Sequence, residues 1–285
     1  MAAAADDSWT GPRVATWLRQ EAALEGQLAP VADVLFAAAA PSTGEAVLDV
    51  GCGTGPTTRR AARLVGPTGR VTGLDISDEM LAAAAKHPVE DGSAPIGWTV
   101  ADAVSWAGPV DADRYDLVLS RFGTMFFADP PAAFATLARA ARPGGRLAMA
   151  IWAYREESEL FRVSLDAVLP LVPADVVVPP RDSGPFSLAD LAATRALLAG
   201  AGWSDVEVAT HDLAMTFATG GGPEESAEAA LDFGPTRFVT AGLDEAGMTA
   251  AKAAIAEAFM PLVDDTGGVV VQGRVHIVTA VRAPA

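Results

Sequence analysis

A short apolar strand that runs directly into a glycine-rich loop is the feature that most constrains the fold of this chain. Residues 47–55 read VLDVGCGTG, which places glycines at 51, 53 and 55. Glycine adopts positive φ without strain and carries no side chain, so such a loop turns sharply and lets the backbone approach a bulky ligand. The pattern predicts an α/β fold with a nucleoside site. A dinucleotide fingerprint needs glycine where this chain has Pro56, and no lysine follows the loop as a triphosphate site requires.

Acidic residues stand at the ends of successive predicted strands. Asp49 lies two residues before the first glycine, Asp75 ends a second apolar strand, and Asp102 follows a third strand near residues 96–100. In α/β folds, an acid about 20 residues beyond the glycine loop hydrogen-bonds ribose hydroxyls. Asp75 has this position.

These motifs resemble those of a known family. The glycine loop resembles motif I of the class I S-adenosylmethionine-dependent methyltransferases, and residues 122–130 (FGTMFFADP) resemble a bacterial branch that acts on small molecules. The resemblance implies an α/β fold with a Rossmann-like sheet of seven mostly parallel strands, the last antiparallel, and helical lid insertions. It implies S-adenosylmethionine as the cofactor, Asp75 at the ribose, Met80 against the adenine and Asp102 at the adenine amine. The full set of expected cofactor-binding residues is Asp49, Gly51, Gly53, Gly55, Asp75, Ile76, Met80, Asp102, Ala103 and Ser120.

The chain is expected to form a single methyltransferase domain, residues 1–285. Its expected parts are an N-terminal helical cap (1–40), a cofactor-binding core (42–152), a first lid insertion (153–186), a core helix and strand (187–216), a second lid insertion (217–267) and a final strand (268–282). Helices are predicted at 12–25, 27–39, 224–232 and 243–259. Thr57 or Thr58 is expected to cap the helix after the glycine loop, and residues 187–190 resemble a capping box.

Aromatic and apolar residues near the expected ligand predict a pocket for an apolar or aromatic acceptor. Its predicted lining is Trp9, Trp17, Phe122, Met125 and Phe126. His211 and Tyr154 are the candidate catalytic bases, because both leave strands toward the predicted active-site edge. His87 precedes Pro88 after a surface helix and His276 lies within a strand, so neither is favoured. Three scattered histidines and one cysteine show no metal-ligand spacing, so no metal is expected.

Charge and composition bear on partners and location. The formal net charge of −16 disfavours a nucleic-acid partner, because a phosphate backbone would be repelled. The first residues are acidic and do not resemble a signal peptide, and no uncharged apolar run is long enough to span a membrane. Cys52, the single cysteine, fits the cytoplasm. The abundance of arginine over lysine suggests a bacterial source, and the expected partner is a small-molecule acceptor for a monomer or homodimer.

The sequence therefore predicts methyl transfer from S-adenosylmethionine to an oxygen or nitrogen of a small metabolite by in-line displacement. Two alternatives keep the cofactor: an enzyme that guides a cyclisation or rearrangement, and a binding protein without turnover. A nicotinamide oxidoreductase is disfavoured by Pro56 and by the lack of a tyrosine–lysine pair.

Overall fold

The computed structural model describes Trp9 and residues 11–109, 114–217 and 220–284. The acidic segment at residues 1–7, on which the signal-peptide prediction depends, lies outside the described residues. Within the described part, one sheet has seven strands in the order β3-β2-β1-β4-β5-β7-β6. The strands are β1 Ala46–Val50, β2 Arg70–Asp75, β3 Ile96–Val100, β4 Tyr115–Arg121, β5 Ala141–Trp152, β6 Trp203–Thr216 and β7 Val270–Arg282.

The direction of the strands confirms the predicted sheet. The pairs β1–β2, β1–β4, β2–β3 and β4–β5 are parallel, whereas β7 runs antiparallel to both β5 and β6. The chain moves outward from β1 through β2 to β3, then returns to the other side of β1 at β4. Such a reversal opens a crevice outside the carboxyl ends of the strands, where α/β proteins bind ligands. The topology therefore places the β1–glycine loop at a ligand-binding edge.

Apolar sequence explains why the central strands form where they do. Every residue of β1 is buried, and Leu117, Val118 and Leu119 of β4 have no exposed surface. A strand covered on both faces needs such a continuous apolar run rather than an alternating one. The helices that accompany the sheet are α1 Pro12–Arg19, α2 Glu21–Ala39, α3 Pro56–Val65, α4 Asp78–Ala84, α5 Pro130–Ala140, α6 Glu159–Val168, α7 Leu191–Gly200, α8 Pro223–Leu231, α9 Gly234–Thr240 and α10 Glu245–Phe259.

The two N-terminal helices divide at a different residue from the one predicted. The break lies at Gln20, with φ −102° and ψ 8°, and α2 continues through Gly26 and Pro30. Its buried residues include Leu24, Leu28 and Val31, which continue the apolar face across the glycine. Burial of these side chains outweighs the cost of about 1 kcal/mol for a glycine within a helix.

Helix α2 is long and apolar enough, by length and composition alone, to cross a membrane. It has 19 residues with a mean hydropathy of 1.3, and 44% of its most apolar window is buried inside the protein. It packs on β4, β5, β6 and β7. A core helix passes the same test, and the contacts of α2 are those of a core helix.

Two predicted helix caps are wrong. Gly55, at φ 75°, is the N-cap of α3, and the hydroxyls of Thr57 and Thr58 donate to Asp49 instead. At α7 the cap is Asp190, whose carboxylate accepts from the backbone N–H groups of Ala192 and Ala193. Ser187 donates to the carbonyl of Met125. In both places a tertiary hydrogen bond takes the hydroxyl that local sequence assigned to a cap.

Helices from the two predicted insertions pack on one another. Helix α6, which follows β5, contacts α9 and α10, which follow β6, and α8 contacts α10. The sequence indicated helices near α8 and α10 but missed α9, a seven-residue helix with Pro235 in its first turn. The insertions therefore form a helical layer beside the carboxyl edge of the sheet.

Candidate cofactor and acceptor site

A cavity of about 570 Å³ opens at the carboxyl ends of the parallel strands. Several of its lining residues are at or just beyond strand ends, namely Val50 and Gly51 after β1, Leu74, Asp75 and Ile76 at β2, Arg121 and Phe122 at β4, and Trp152 at β5. The cavity therefore occupies the crevice that the strand order predicts.

The three glycines of the loop differ in what requires them. All have positive φ: 65° at Gly51, 56° at Gly53 and 75° at Gly55. A Cβ at Gly51 would lie 2.6 Å from the Cα of Gly123, and one at Gly55 would lie 2.4 Å from the ring of Trp98. At Gly53 a Cβ would meet nothing within 4 Å. Gly51 and Gly55 are therefore required by packing within the protein, whereas Gly53 leaves space open on the cavity side.

Asp75 connects the end of β2 to the glycine loop. One carboxylate oxygen accepts from the backbone N–H of Gly53 at 2.8 Å, and the other accepts from that of Ser77 at 2.9 Å. Burial raises the pKa of Asp75, and the hydrogen bonds from Ser77 and Gly53 oppose that rise. The carboxylate lines the cavity with acceptor capacity remaining, since each oxygen can accept more than one hydrogen bond.

Residues that follow β2 and β3 line the same part of the cavity. Met80 is buried, whereas the side chain of Ile76 is 55% exposed. Asp102 accepts from the backbone N–H of Val104 at 2.9 Å, and Ala103 follows it. Ser77 caps α4 by accepting from the N–H of Met80. The cavity lining thus includes the apolar side chains of Ile76 and Met80 and the carboxylates of Asp75 and Asp102.

Three residues predicted to bind the cofactor do not line this cavity. Gly55 packs against Trp98, and the hydroxyl of Ser120 donates to the carbonyl of Val50 at 2.8 Å. Asp49 is fully buried and accepts from Thr57 at 2.7 Å and Thr58 at 2.6 Å through a single oxygen. Burial raises its pKa to about 6, against the opposing effect of the two threonines. These three residues hold the loop in place without lining the cavity. The sequence pattern could not distinguish this role from contact with a ligand.

The cavity residues fit a cofactor that carries an adenosine. Gly53 leaves room for close approach, Asp75 offers acceptors for ribose hydroxyls, and Met80 and Ile76 provide an apolar surface for a flat base. Asp102 offers an acceptor beside that surface. Among the residues described, no group of three or more histidine, cysteine, aspartate or glutamate side chains is placed to bind a metal ion.

Aromatic residues form much of the cavity lining, and we term the space beside them the acceptor chamber. Its aromatic lining consists of Trp9, Trp17, Phe122, Phe126, Phe127, Trp152, Phe161, Phe233 and Phe238. Phe122 stacks on Trp152 with ring centroids 4.1 Å apart, and Phe161 stacks on Phe233 at 5.3 Å. Phe122 has φ 65°, a strained conformation for a bulky residue. Met125 also lines the cavity, so the structure brings together all five residues predicted for the acceptor pocket.

Several lining residues were not predicted from the sequence. Phe161, Asp232 and Phe233 come from the insertions, and Gln20 from the break between α1 and α2. Nothing local marks such residues, because only the folding of the insertions over the sheet edge brings them to the cavity. Arg121 directly follows Ser120 at the end of β4, so its strand-end position was the one usable signal.

The two candidate bases are not at the cavity, which corrects the sequence prediction. His211 lies within β6, where it pairs with Val275, and β7 separates it from β5. Tyr154 lies beyond β5 with the guanidinium of Arg181 over its ring at 3.7 Å. Neither side chain lines the cavity. Strand β6 extends to Thr216, so His211 is an interior strand residue rather than an end residue.

The disfavoured histidines have local partners. His276 is buried in β7 and shares a hydrogen bond of 2.8 Å with Thr210, and burial lowers its pKa. His87 lies 3.1 Å from Glu21. Cys52 is a buried free thiol whose pKa burial raises, which fits a small packing residue better than a nucleophile.

Comparisons with known proteins match part of the chain to methyltransferases. Residues 47–145 match the family model of a methyltransferase domain. Over 120 residues the chain is 38% identical to nocamycin O-methyltransferase of Saccharothrix syringae, a match that covers 42% of each chain. Over 108 residues it is 40% identical to aklanonic acid methyltransferase of Streptomyces sp. strain C5, covering 38% of this chain and 48% of that one. The chain thus spans under half the length of these curated relatives.

Solved structures extend the likeness of the fold to most of the chain. The YcgJ protein of Bacillus subtilis superposes with a TM-score of 0.55 at 16% identity, covering 89% of this chain and 98% of that one. The cyclase SpnF superposes with a TM-score of 0.53 at 18% identity, covering 90% and 81%. Residues 47–145 are thus similar to a methyltransferase domain, and the likeness to the solved structures is one of fold.

Proposed function

We propose that this protein transfers the methyl group of S-adenosylmethionine to an oxygen or nitrogen of a small apolar or aromatic metabolite. The observation that carries the proposal is that one cavity is lined both by the proposed cofactor residues and by nine aromatic residues. The curated relatives support it, since one is named an O-methyltransferase and another a methyltransferase of aklanonic acid.

We assign the cofactor contacts as follows. Asp75 binds the ribose hydroxyls, Met80 and Ile76 pack on the adenine, and Asp102 accepts from the adenine amine. Gly53 provides the space that the nucleoside enters, since its Cβ position is open. Gly51, Gly55, Asp49 and Ser120 act indirectly by fixing the loop.

The proposed reaction is an in-line displacement. The bound cofactor supplies a methyl group on a positively charged sulfur. The chain aligns the acceptor with that methyl group and excludes water, and alignment alone can provide up to about 7–11 kcal/mol in well-oriented systems. The stacked pairs Phe122–Trp152 and Phe161–Phe233 are the surfaces that would orient a flat acceptor.

Asp232 is our candidate for the group that receives the acceptor's proton. Asp232 directly follows the last residue of α8 and, like Phe233 and Arg237, lines the cavity. It replaces His211 and Tyr154, which the structure keeps away from the cavity. A base assists a hydroxyl or protonated amine but is not obligatory for methyl transfer.

The proposal includes a cytoplasmic location and no nucleic-acid partner, supported by the single reduced cysteine and the net charge of −16. A monomer or homodimer fits a cavity formed by one chain. Cell fractionation tests the location, and light scattering tests the oligomeric state. Recovery with membranes would contradict a cytoplasmic location, and a larger assembly would contradict a monomer or homodimer.

Isothermal titration with S-adenosylhomocysteine tests the cofactor, with oxidised and reduced nicotinamide dinucleotides as controls. Micromolar binding of S-adenosylhomocysteine alone supports the proposal, and the absence of binding overturns it. Mass spectrometry of phenols, enols and amines incubated with protein and cofactor then tests for the gain of one methyl group. Products of unchanged mass would instead indicate a cyclisation or rearrangement, and cofactor binding without any product would indicate a binding protein.

A further inference from the structure

The lining of the large cavity combines aromatic rings with positive charge. Three arginines contribute to it, Arg13 of α1, Arg121 at the end of β4 and Arg237 of α9. The chain as a whole carries a formal charge of −16. Arginines at a cavity of so acidic a protein need an explanation, because a guanidinium loses hydration when a ligand fills the space beside it. The surroundings of the three arginines differ, and the difference gives them different roles.

The charge of Arg121 is balanced within the protein. Arg121 donates to Glu25 of α2 at 2.5 Å, and their side chains are only 8% and 24% exposed. Two of the cavity carboxylates, Asp75 and Asp102, are assigned to the cofactor under the proposed function. Among the lining residues that the structure describes, the charged groups that remain for the acceptor are Arg13, Arg237 and Asp232. The acceptor chamber therefore carries an excess of positive charge.

Arg13 is held by two aromatic rings of the acceptor chamber. Its guanidinium carbon lies 3.9 Å from the ring centroid of Trp9 and 5.0 Å from that of Phe126. The two rings meet edge to face with centroids 5.3 Å apart, and all three residues line the cavity. A guanidinium with a ring across its face keeps its N–H donors at its edge, in the plane of the group. The rings therefore restrain Arg13 without using its donors.

Arg237 adds a second positive charge to the lining. Its guanidinium carbon lies 4.5 Å from the ring centroid of Phe238, the next residue of α9. Phe238 lines the cavity as well. One ring restrains a long side chain less than two rings do. Arg13 is therefore the better-placed group for a directional contact with a ligand, and Arg237 contributes mainly through its charge.

A planar carboxylate on a flat aromatic body is the chemistry that matches these groups. The edge of a guanidinium forms two parallel N–H···O bonds with a carboxylate. The stacked rings of Phe122 and Trp152 offer a surface on which the aromatic body can pack. A neutral aromatic acceptor would satisfy the rings, but it would remove water from Arg13 without replacing the lost hydrogen bonds, which costs free energy. The lining therefore favours an acid over a neutral acceptor.

We propose that the acceptor is a hydroxylated aromatic acid whose carboxylate is bound by Arg13, with Arg237 as a second cation of the chamber. The assignment rests on the proposed function and specifies the class of its acceptor. In the transfer, the hydroxyl oxygen forms a bond to the methyl carbon as the carbon–sulfur bond breaks, and the hydroxyl proton leaves to Asp232. The carboxylate orients the acceptor and is unchanged in the product.

Probes that differ in charge but hardly in shape test the assignment. They are the isomeric hydroxynaphthoic acids and the corresponding carboxamides, which keep the rings and the hydroxyl but lose the negative charge. Calorimetry measures their binding to protein saturated with S-adenosylhomocysteine, for the native protein, Arg13→Gln and Arg237→Gln. The control is Arg181→Gln, since the guanidinium of Arg181 stacks on Tyr154 at 3.7 Å and neither residue lines the cavity. Circular dichroism checks the fold of each variant.

We expect the best acid to bind the native protein at least about tenfold more tightly than its carboxamide, as a charge-assisted hydrogen bond predicts. Arg13→Gln should weaken the acid by about 10–100-fold and the carboxamide by less than about threefold. Arg237→Gln should weaken the acid by a smaller factor, and Arg181→Gln should change neither ligand. Mass spectrometry after incubation with S-adenosylmethionine should show one added methyl group that survives mild alkali, because an ether resists the hydrolysis that cleaves an ester.

Several results would overturn the assignment. Equal losses for acid and carboxamide in Arg13→Gln would mean that Arg13 only holds Trp9 in place, and a larger loss in Arg237→Gln would contradict the choice of Arg13. A methyl group lost in mild alkali would make the carboxylate the reacting group.

The failure of this assignment is distinguishable from the failure of the proposed function. Carboxamides that bind as tightly as the acids, or acids that do not bind at all, would exclude the aromatic-acid class, whereas binding of S-adenosylhomocysteine in the same experiments would leave the proposed function intact. A native protein that does not bind S-adenosylhomocysteine would overturn both.

Discussion

At the scale of single residues, Gly53 and Gly55 show that adjacent glycines of one loop can be required for different reasons. Gly53→Val should abolish S-adenosylhomocysteine binding, because the side chain would enter open space that the ligand needs. The control is Gly92→Val, another positive-φ position (φ 82°) with open surroundings, which carries similar backbone strain away from the cavity. Calorimetry compares the two. Retained binding by Gly53→Val would mean that the loop does not face the ligand.

Asp75 is the residue whose loss should most directly weaken the nucleoside contact. Asp75→Ala removes the acceptor for the ribose and the two backbone hydrogen bonds from Gly53 and Ser77. Loss of hydrogen bonds to a charged group predicts a Kd for S-adenosylhomocysteine that rises by about 10–100-fold. Glu79→Ala, at an exposed residue of α4, should have no effect. An unchanged Kd for Asp75→Ala would defeat the ribose assignment.

Asp49 should make the stability of the protein depend on pH in the acidic range. Its pKa is raised from an ordinary 3.8 to about 6, with burial as the cause and Arg121 as one opposing charge. Between those values the folded protein keeps a proton that the unfolded chain releases, so the free energy of unfolding falls as pH rises and is constant above about 6.

The side chain in Asp49→Asn cannot ionise, so the free energy of unfolding of this variant should not fall in this way as pH rises. Relative to the variant, the native protein should therefore lose about 2–3 kcal/mol of unfolding free energy between pH 4 and pH 7. Urea titrations at both pH values measure it. Parallel stability curves for the two proteins would show that Asp49 does not titrate in this interval.

At the scale of elements, the connection between α8 and α9 carries Asp232 and Phe233 to the acceptor chamber. Asp232→Asn should lower kcat by about 100-fold if its carboxylate receives the acceptor's proton. The Kd of S-adenosylhomocysteine should not change, because the residue lies at the acceptor end. Glu228→Gln, on the same helix but paired with Lys252 outside the cavity, is the matched control. Full activity of Asp232→Asn would remove it from the reaction.

The elements also show what sequence can predict. The positions of the first three strands, the glycine loop and the strand-end acids Asp75 and Asp102 were accessible, because burial and backbone conformation are local requirements with local patterns. His211 was misplaced since the end of β6 depends on pairing with β7 along the whole strand. Helix α9 and Phe161 were missed because their environment is created by contacts between α6, α9 and α10. Local pattern thus located lining residues on the strands and the glycine loop better than those on the insertions.

At the scale of the whole molecule, the cavity draws residues from nearly every part of the chain, from Trp9 to Phe238. The unfolded chain has no such arrangement, so a ligand that fills the cavity must stabilise the folded protein. At a concentration of about 100 times its Kd, S-adenosylhomocysteine should add about 2.7 kcal/mol to the free energy of unfolding.

For a chain of this size, that gain corresponds to a rise in Tm of about 4–5 °C. Thermal scans with S-adenosylhomocysteine, and with nicotinamide dinucleotides at the same concentrations, measure the effect. Because the proposed ligand site includes residues of the glycine loop, β2 and α4, one cooperative transition should move as a unit. An equal rise in Tm with the dinucleotides would instead indicate a general nucleotide site. Pro56 in the loop would then not exclude dinucleotides.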